Sequence, residues 1–307
     1  MIDPQKRYLG IIYASTTAIF WGFLAIALKI AVNVISPYAI VWSRFVIAFS
    51  VLFLYYLITD KKKLRILLKP PLALIVTGIF LGFNYIGFTQ GINFTSPGNA
   101  QVIIQLGPIL MAIVGVVIYK ETLSKRQMLG FLIAGIGLLV FYNDQLTNLI
   151  KDKDTFNIGV IFILVAAISW VVYASFQKKM VQSYPPQQIN LFIYAIPIFM
   201  FLPFIGPNDF QTLESWHWYL LIFLGINTLI AYGALAASFK YLEANKVSII
   251  VTLNPIITFL IMSILAEMSI NWILPETISS LGFGGAFLVI CGAILAVKPA
   301  RRKINES

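Results

Sequence analysis

Ten apolar runs of about 20 residues dominate this sequence. A helix of that length crosses roughly 30 Å of hydrocarbon, so each run is long enough to span a lipid bilayer. The chain has 307 residues, of which 59% are hydrophobic and 11% charged, and a soluble domain of this size could not bury so much apolar surface. The sequence therefore predicts an all-α integral membrane protein with ten transmembrane helices, at 9–30, 37–58, 71–92, 97–119, 127–142, 157–179, 187–205, 216–239, 246–267 and 277–297.

The distribution of lysine and arginine predicts how these helices are oriented. If the N-terminus is cytoplasmic, 18 of the 22 basic residues fall in cytoplasmic segments, three fall outside, and Arg44 lies within a span. Basic residues accumulate on the cytoplasmic side of membrane proteins, so we expect both termini there. The net charge of +10 is then explained by the basic residues that set the orientation of the helices. No nucleic acid partner is expected, because the basic clusters are dispersed between apolar runs.

The second half of the chain repeats the first. The repeat predicts a first five-helix unit at 1–142, an extracytoplasmic linker at 143–156, a second five-helix unit at 157–298 and a basic cytoplasmic tail at 299–307. Five is odd, so the second unit must cross the membrane in the opposite direction. The clearest matches, at offsets of 149 and 147, pair Trp21 with Trp170, Lys29 with Lys178, Pro37 with Pro186, Tyr85 with Tyr232, and Pro108 with Pro255.

Inverted repeats are typical of alternating-access transporters, whose site lies near the membrane midplane between the repeats. A duplication that merely built a large helical bundle is the alternative. A membrane channel would need a continuous polar lining, which the mostly apolar spans lack. A scaffold without transport activity also stays open.

The chain resembles the drug/metabolite transporter superfamily, in particular its ten-span members with two EamA domains. The resemblance implies secondary transport of small metabolites such as amino acids, sugars or nucleotide-like molecules, through a pathway lined mainly by the third, fourth, eighth and ninth spans. One departure is Ile193, which stands where the first half has Arg44. The resemblance rests on Ala18 to Gly22, Pro37, Arg44, Gly107-Pro108 with Glu121, Gly130 to Gly137, Ala167 to Trp170 with Tyr173 and Lys178, Asn254-Pro255 with Glu267, and Gly285 to Gly292.

Two polar strips are the first candidates for the substrate pathway. Each strip occupies one helix face and ends at a proline, and paired interruptions of this kind point to a transport site. The prolines are candidate hinges, because each frees a backbone carbonyl. Polar side chains that only join helices are the alternative. The strips are Gln101, Gln105 and Pro108 in the fourth span, and Ser248, Thr252 and Pro255 in the ninth.

Paired aromatic residues and one arginine complete the predicted substrate site. Trp21 and Trp170 lie near the centres of their spans, whereas tryptophan in membranes prefers the interfaces. Tyr85 and Tyr232 are matched across the repeat, and all four rings could either flank a substrate or pack as core. Arg44 lies near the middle of the second span, where a charge usually marks function. A structural role and a ligand role for Arg44 both stay open.

The sequence predicts neither an enzyme nor a metal site, and no cofactor. Cys291 and His217 are the single residues of their types, and the carboxylates lie in loops or at span ends. Glu121 and Glu267 could form gate contacts, although a topological role is the simpler interpretation. Glycines in spans five and ten could pack internally or form a homodimer.

The predicted protein is therefore a multi-pass carrier of the cytoplasmic membrane whose partners are lipid and a small-molecule substrate. An amino-acid-like metabolite, exported, is favoured by the resemblance. Sugars, nucleotide-like molecules and amphipathic drugs are the alternative substrates.

Overall fold

The computed structural model of the protein describes residues 4–143, 146–147, 156–211, 213–268 and 279–297. Most of the predicted linker and the whole predicted basic tail lie outside these residues. Within them, helices of eight or more residues are numbered α1 to α12, so that each helix of the first half has its repeat partner six numbers later. They are α1 Pro4–Val32, α2 Pro37–Thr59, α3 Leu72–Phe94, α4 Pro97–Ile104, α5 Leu106–Val117, α6 Lys125–Phe141, α7 Phe156–Met180, α8 Pro186–Phe201, α9 Ser215–Tyr241, α10 Ala244–Val251, α11 Asn254–Glu267 and α12 Ser280–Val297.

Nine segments of the described chain are long and apolar enough to cross a membrane. They correspond to nine of the ten predicted spans; α4 with α5 forms one of them, and α10 with α11 forms another. The fifth predicted span corresponds to α6, which has 17 residues. A helix of that length rises about 25 Å, at the short end of what crosses a bilayer. A total of ten spans, with α6 as the additional one, and the orientation in the membrane stay predictions.

Local sequence signals explain where several helices begin. Ser36 accepts a hydrogen bond from the Ala39 amide and Pro37 opens α2. Ser96 caps α4 in the same way, again followed by a proline. Serine before proline is a favourable helix start, because the hydroxyl satisfies a free amide while the proline has none to satisfy.

Helices of the first repeat pack against helices of the second. Helix α1 packs along α9 and α3 packs along α7, and these two pairs are equivalent under the repeat. Helix α2 packs against its own repeat partner α8. Residues matched across the repeat are therefore brought toward each other at the centre of the molecule.

Glycines hold α6 and α12 together as a separate pair. A Cβ on Gly130 would lie 2.7 Å from the carbonyl oxygen of Gly292, and one on Gly292 would lie 2.6 Å from that of Gly130. Gly137 and Gly285 approach each other in the same way. These faces are thus used for close packing within one chain, and a homodimer through α6 and α12 stays a prediction.

Candidate functional site

The four matched aromatic residues meet at the centre of the molecule. The rings of Trp21 and Trp170 are 6.0 Å apart in an edge-to-face arrangement, and those of Tyr85 and Tyr232 are 5.1 Å apart. Trp21 also contacts Tyr232, with 5.2 Å between ring centroids. Because each residue contacts its own repeat partner, the axis that relates the two halves must pass through this cluster. The sequence predicted both pairs, and the structure places all four rings together.

A cavity of about 60 Å³ lies beside this cluster. Among the described residues, its lining has no charged side chain, and amide groups from Asn84, Gln101, Gln105 and Asn254 lie among aromatic and aliphatic ones. Its volume admits a few water molecules at roughly 10–15 Å³ each, so a metabolite fits only when the helices separate. The full lining is Trp21, Leu24, Asn84, Phe88, Gln101, Ile104, Gln105, Pro108, Trp170, Tyr232 and Asn254.

Several polar atoms around the cavity have no hydrogen-bond partner among the described residues. They include the indole nitrogens of Trp21 and Trp170, the Asn254 side-chain oxygen and both amide atoms of Gln105. A buried polar atom without a partner is costly and usually calls for a water or a ligand. Because these atoms are buried in this conformation, a bound molecule can reach them only when the helices separate.

Other polar groups of the cavity wall are fixed by the protein itself. The Tyr232 hydroxyl donates to Asn84 Oδ1 at 3.0 Å, and Asn84 Nδ2 donates to the Ala166 carbonyl at 3.0 Å. Gln101 Nε2 donates to the Thr258 hydroxyl at 3.1 Å, and that hydroxyl donates to the Gly22 carbonyl. These bonds join helices of the two repeats around the cavity.

Arg44 lies behind the tyrosines and does not line the cavity. Its side chain is 2% exposed, its Nε donates to Thr228 Oγ1 at 3.0 Å, and its guanidinium carbon is 4.3 Å from the centroid of the Tyr85 ring. The ion pairs found among the described residues do not include it. This geometry fits a residue that holds Tyr85 and α9 in place, through a cation–π contact and a hydrogen bond.

The two polar strips lie in different surroundings. Gln101 and Gln105 line the central cavity, whereas Ser248 and Thr252 line a neighbouring, largely apolar cleft between α5, α6 and α10, which Gln105 also borders. The Thr252 hydroxyl donates to the Ile249 carbonyl, as a packing role requires. Only the first strip therefore contacts the cavity in this conformation.

Both predicted interruptions are present. Helix α4 ends at Ile104 and α5 starts at Leu106, so the break falls at Gln105, three residues before Pro108. The equivalent break ends α10 at Val251 and starts α11 at Asn254. Pro108 also lines the cavity. Pro255 is buried on α11, directly after the lining residue Asn254.

Sequence reasoning missed Asn84, Asn254 and Tyr173. Asn84 and Asn254 line the cavity, and the buried Tyr173 ring lies 5.6 Å from that of Tyr232. The sequence prediction considered residues that are matched across the repeat, and it passed over Asn84 because Ala231 stands at the matching position. A survey of every uncharged polar side chain near a span centre would have found both asparagines.

Glu121 contacts Lys178, Ala244 and Asn245 at the predicted cytoplasmic end, and this set of contacts forms a latch. Its carboxylate lies 2.9 Å from Lys178 Nζ and accepts hydrogen bonds from the amides of Ala244 and Asn245, at 2.7 and 3.0 Å. These amides begin α10, where a negative charge also interacts favourably with the helix dipole. The topological interpretation of Glu121 was thus too simple, because one carboxylate joins the segment after α5 to α7 and α10.

Tyr119 reinforces this latch. Its hydroxyl donates to the Ser175 carbonyl, and Lys178 Nζ lies 5.4 Å from the centroid of its ring. Burial, with the nearby Glu121 carboxylate, raises the pKa of Tyr119 above the ordinary phenol value. The phenol therefore stays protonated and keeps donating its hydrogen bond.

The EamA-like transporter family matches residues 8–143 and 157–298. The chain belongs to this family. It is accordingly a membrane transporter, with two EamA repeats and a multi-pass location in the cytoplasmic membrane.

Curated relatives cover nearly the whole chain. The "Uncharacterized inner membrane transporter YhbE" of Escherichia coli is 35% identical over 94% of this chain and 91% of its own length. An "Uncharacterized transporter" of Haemophilus influenzae is 34% identical over 95% of both chains. A "Probable amino-acid metabolite efflux pump" of Salmonella typhimurium is 25% identical over 92% of this chain and 93% of its own.

A solved crystal structure shares the fold. It superposes with a TM-score of 0.73 at 18% identity, and the alignment covers 94% of this chain and 97% of the other. At this identity the likeness establishes the arrangement of helices and nothing about substrate.

Proposed function

We propose that the protein is a secondary carrier that exports a small amino-acid-like metabolite across the cytoplasmic membrane by alternating access. The observation that carries this proposal is the cavity beside the contact of Trp21 with Trp170 and of Tyr85 with Tyr232. A site on the repeat axis can be exposed to either side by the same motion in opposite senses. Indoles, amides and a tyrosine hydroxyl supply stacking surfaces and uncharged hydrogen-bonding groups for such a ligand.

The amino-acid preference is supported by the name of the Salmonella relative, a probable amino-acid metabolite efflux pump, and by the polar, uncharged groups in the described lining. Sugars, nucleotide-like molecules and amphipathic drugs are the alternative ligands, and a panel of compounds separates them. Arg44 acts in this proposal through Tyr85, which it supports, rather than on the ligand. The lining offers stacking and hydrogen bonding to a bound molecule, so the proposed activity is transport without chemical conversion of the substrate.

The two repeats, 1–142 and 157–298, are the bodies that rearrange in this proposal, and the breaks before Pro108 and Pro255 are its hinges. Each break lets the outer and inner halves of a span tilt independently, because the helix hydrogen bonds are interrupted there. The small volume of the cavity requires such a movement before a metabolite can bind.

Ligand-dependent thermal unfolding tests the proposal. A ligand that binds only the folded protein at 100 times its Kd adds about 2.7 kcal/mol of stability. We expect an amino acid or related metabolite to raise the Tm of the purified protein, and Gln105→Leu and Asn84→Ala to reduce the shift. Asn227→Ala is the matched control, since Asn227 Nδ2 binds the Phe20 carbonyl at 2.7 Å and lies outside the cavity lining.

The same ligand should show saturable uptake and counterflow in liposomes. Flux that rises linearly with concentration and shows no counterflow would identify a channel and contradict the proposal. Shifts that survive in Gln105→Leu and Asn84→Ala would place the binding site elsewhere.

A further inference from the structure

A large cleft separates α5 from α6. Its volume is about 830 Å³, and it exists because α6 packs chiefly against α12 rather than against its neighbour in sequence. Ile113 on α5 and Leu139 on α6, which line the two sides, are 53% and 66% exposed. In a membrane protein, such exposed aliphatic side chains face lipid, so the cleft opens sideways into the bilayer.

The inner wall of this largely apolar cleft contains three buried polar side chains. Asn245 and Ser248 lie one turn apart on α10, and Gln105 lies at the break between α4 and α5. Each of the three is less than 4% exposed. The Ser248 hydroxyl and both amide atoms of Asn245 and of Gln105 have no hydrogen-bond partner within the described chain. Unpaired polar atoms that border hydrocarbon are costly, because lipid tails offer no hydrogen bonds.

The cleft also reaches the central cavity. Gln105 and Pro108 line both spaces. Charged side chains are missing from the described lining of the cleft, so its polar wall suits hydroxyl or amide groups rather than ions. A volume within the usual 300–1,000 Å³ of ligand sites, mostly apolar walls and a few converging polar groups are the features of a binding site.

We propose that this cleft binds a single-chain amphipathic molecule that enters from the bilayer. Its uncharged head group hydrogen-bonds to Gln105, Asn245 and Ser248, and its tail lies between the aliphatic faces of α5 and α6. The proposal rests on the proposed function only in treating the central cavity as the transport site that the cleft joins. It goes beyond that function by adding a second site and a side entrance for ligands with an apolar tail.

Photochemical labelling tests the site directly. The probe is monododecanoylglycerol with a diazirine at the end of its chain, added to phosphatidylcholine liposomes that contain the full protein. We expect it to label α5 and α6. The Gly135→Leu variant should lower labelling at least fivefold, because Gly135 lines the cleft and an added Cβ there meets no atom within 4 Å. The new side chain therefore fills the cleft without displacing its walls.

Gly284→Leu is the matched control. An added Cβ at Gly284 also meets no atom within 4 Å, and Gly284, on α12, does not line the cleft. Labelling of this variant should equal that of the unmodified protein. Equal labelling of Gly135→Leu and Gly284→Leu would overturn the proposal. Cross-links between two copies of the chain at α5 or α6 would do the same, since a second copy would then cover the cleft.

Competition separates a specific head-group site from a groove filled by any lipid tail. Unlabelled monododecanoylglycerol should compete about tenfold better than dodecane, which lacks the head group, and Ser248→Ala should reduce that advantage. Equal competition by dodecane and monododecanoylglycerol would contradict the head-group site. Because labelling requires no transport, its failure alongside intact counterflow would reject the cleft site and leave the proposed function standing.

Discussion

The two ends of the molecule carry the same lysine in different surroundings. Lys29 Nζ donates to the carbonyl oxygens of Ile92 and Thr95 at the end of α3. Its repeat partner, Lys178, donates to the Leu242 carbonyl, which matches Thr95 at the end of α9. At the Lys178 end, Glu121 forms an ion pair with this lysine and accepts a hydrogen bond from the first amide of α10. Glu267, the carboxylate at the corresponding end of α11, is exposed.

The cavity lies on the other side of the aromatic cluster from the latch. Leu24 and Phe88 line it, whereas their repeat partners Tyr173 and Leu235 are fully buried. The described residues of the two halves thus pack differently on the two sides of the aromatic cluster: one side holds the cavity, and Tyr173 and Leu235 fill the other. At the predicted cytoplasmic end, the Glu121 carboxylate joins α7 and α10 through Lys178 and two backbone amides.

The largest expected effect comes from removing that carboxylate. Glu121→Ala should lower the free energy of unfolding by about 3 kcal/mol, because it leaves the poorly exposed Lys178 without its counter-charge. Glu243→Ala and Glu267→Ala should each change it by less than about 0.5 kcal/mol. Within the part of the chain that the structure describes, Glu243 forms its ion pair with Lys246 on the same helix turn. Denaturant titration of the purified variants measures all three, and equal losses would remove the distinction between the ends.

Weakening the latch should also change accessibility. In a Cys291→Ala background, Glu121→Gln should raise the reaction rate of Ser175→Cys with a water-soluble thiol reagent about tenfold, the equivalent of 1.4 kcal/mol in the opening equilibrium. Ser175 lies next to the latch, since its carbonyl accepts the Tyr119 hydrogen bond. Ile26→Cys, at the repeat-related position, should not become more reactive. A parallel rise at both cysteines would indicate general loosening rather than opening of one end.

The positions of the two polar strips predict a smaller difference. Gln101→Cys should react several-fold faster with the same water-soluble reagent than Ser248→Cys, because Gln101 lines the central cavity and Ser248 lines the apolar cleft. Ala100→Cys, on a fully buried neighbouring position, provides the background rate. Faster reaction at Ser248→Cys would show that water reaches the cleft and not the cavity.

The smallest effect is expected at Tyr119. Tyr119→Phe removes one hydrogen bond to a backbone carbonyl and should cost about 0.5 kcal/mol. Because the pKa of Tyr119 is raised on folding, its contribution is fully present below the unfolded phenol pKa of about 10 and is lost as pH rises beyond it. The difference between Tyr119→Phe and the unmodified protein should therefore be constant from neutral to mildly alkaline pH. A decline that begins near neutral pH would contradict the assignment.

Local patterns in the sequence were enough for the secondary structure and the repeat. Hydropathy predicts the nine spans, and proline chemistry predicts the breaks before Pro108 and Pro255. Self-similarity predicts the pairing of Trp21 with Trp170. These features depend on neighbours along the chain, or on a symmetry that any inverted duplication must obey. The same reasoning explains why the aromatic pairs meet, since residues on a two-fold axis contact their own partners.

The sequence could not place Arg44, Ser248 or Glu121. The helix face of each residue can be predicted, but the helix that this face meets depends on how twelve helices pack together. Arg44 faces Tyr85 and Thr228 rather than the cavity, and Ser248 faces a cleft that opens because α6 packs against α12. The residues next to Glu121 in the sequence do not indicate that its carboxylate pairs with Lys178 or accepts hydrogen bonds from α10.

Hydropathy and self-similarity are enough to predict that the chain spans the membrane, that it consists of two related halves, and that its centre is aromatic and polar. Hydrophobic burial and backbone hydrogen bonding impose these features on each segment separately. Tertiary packing determines which residues Glu121 contacts, which polar strip lines the cavity and where the cleft between α5 and α6 lies. These features depend on contacts such as that of Glu121 with Lys178, between residues that are distant along the chain.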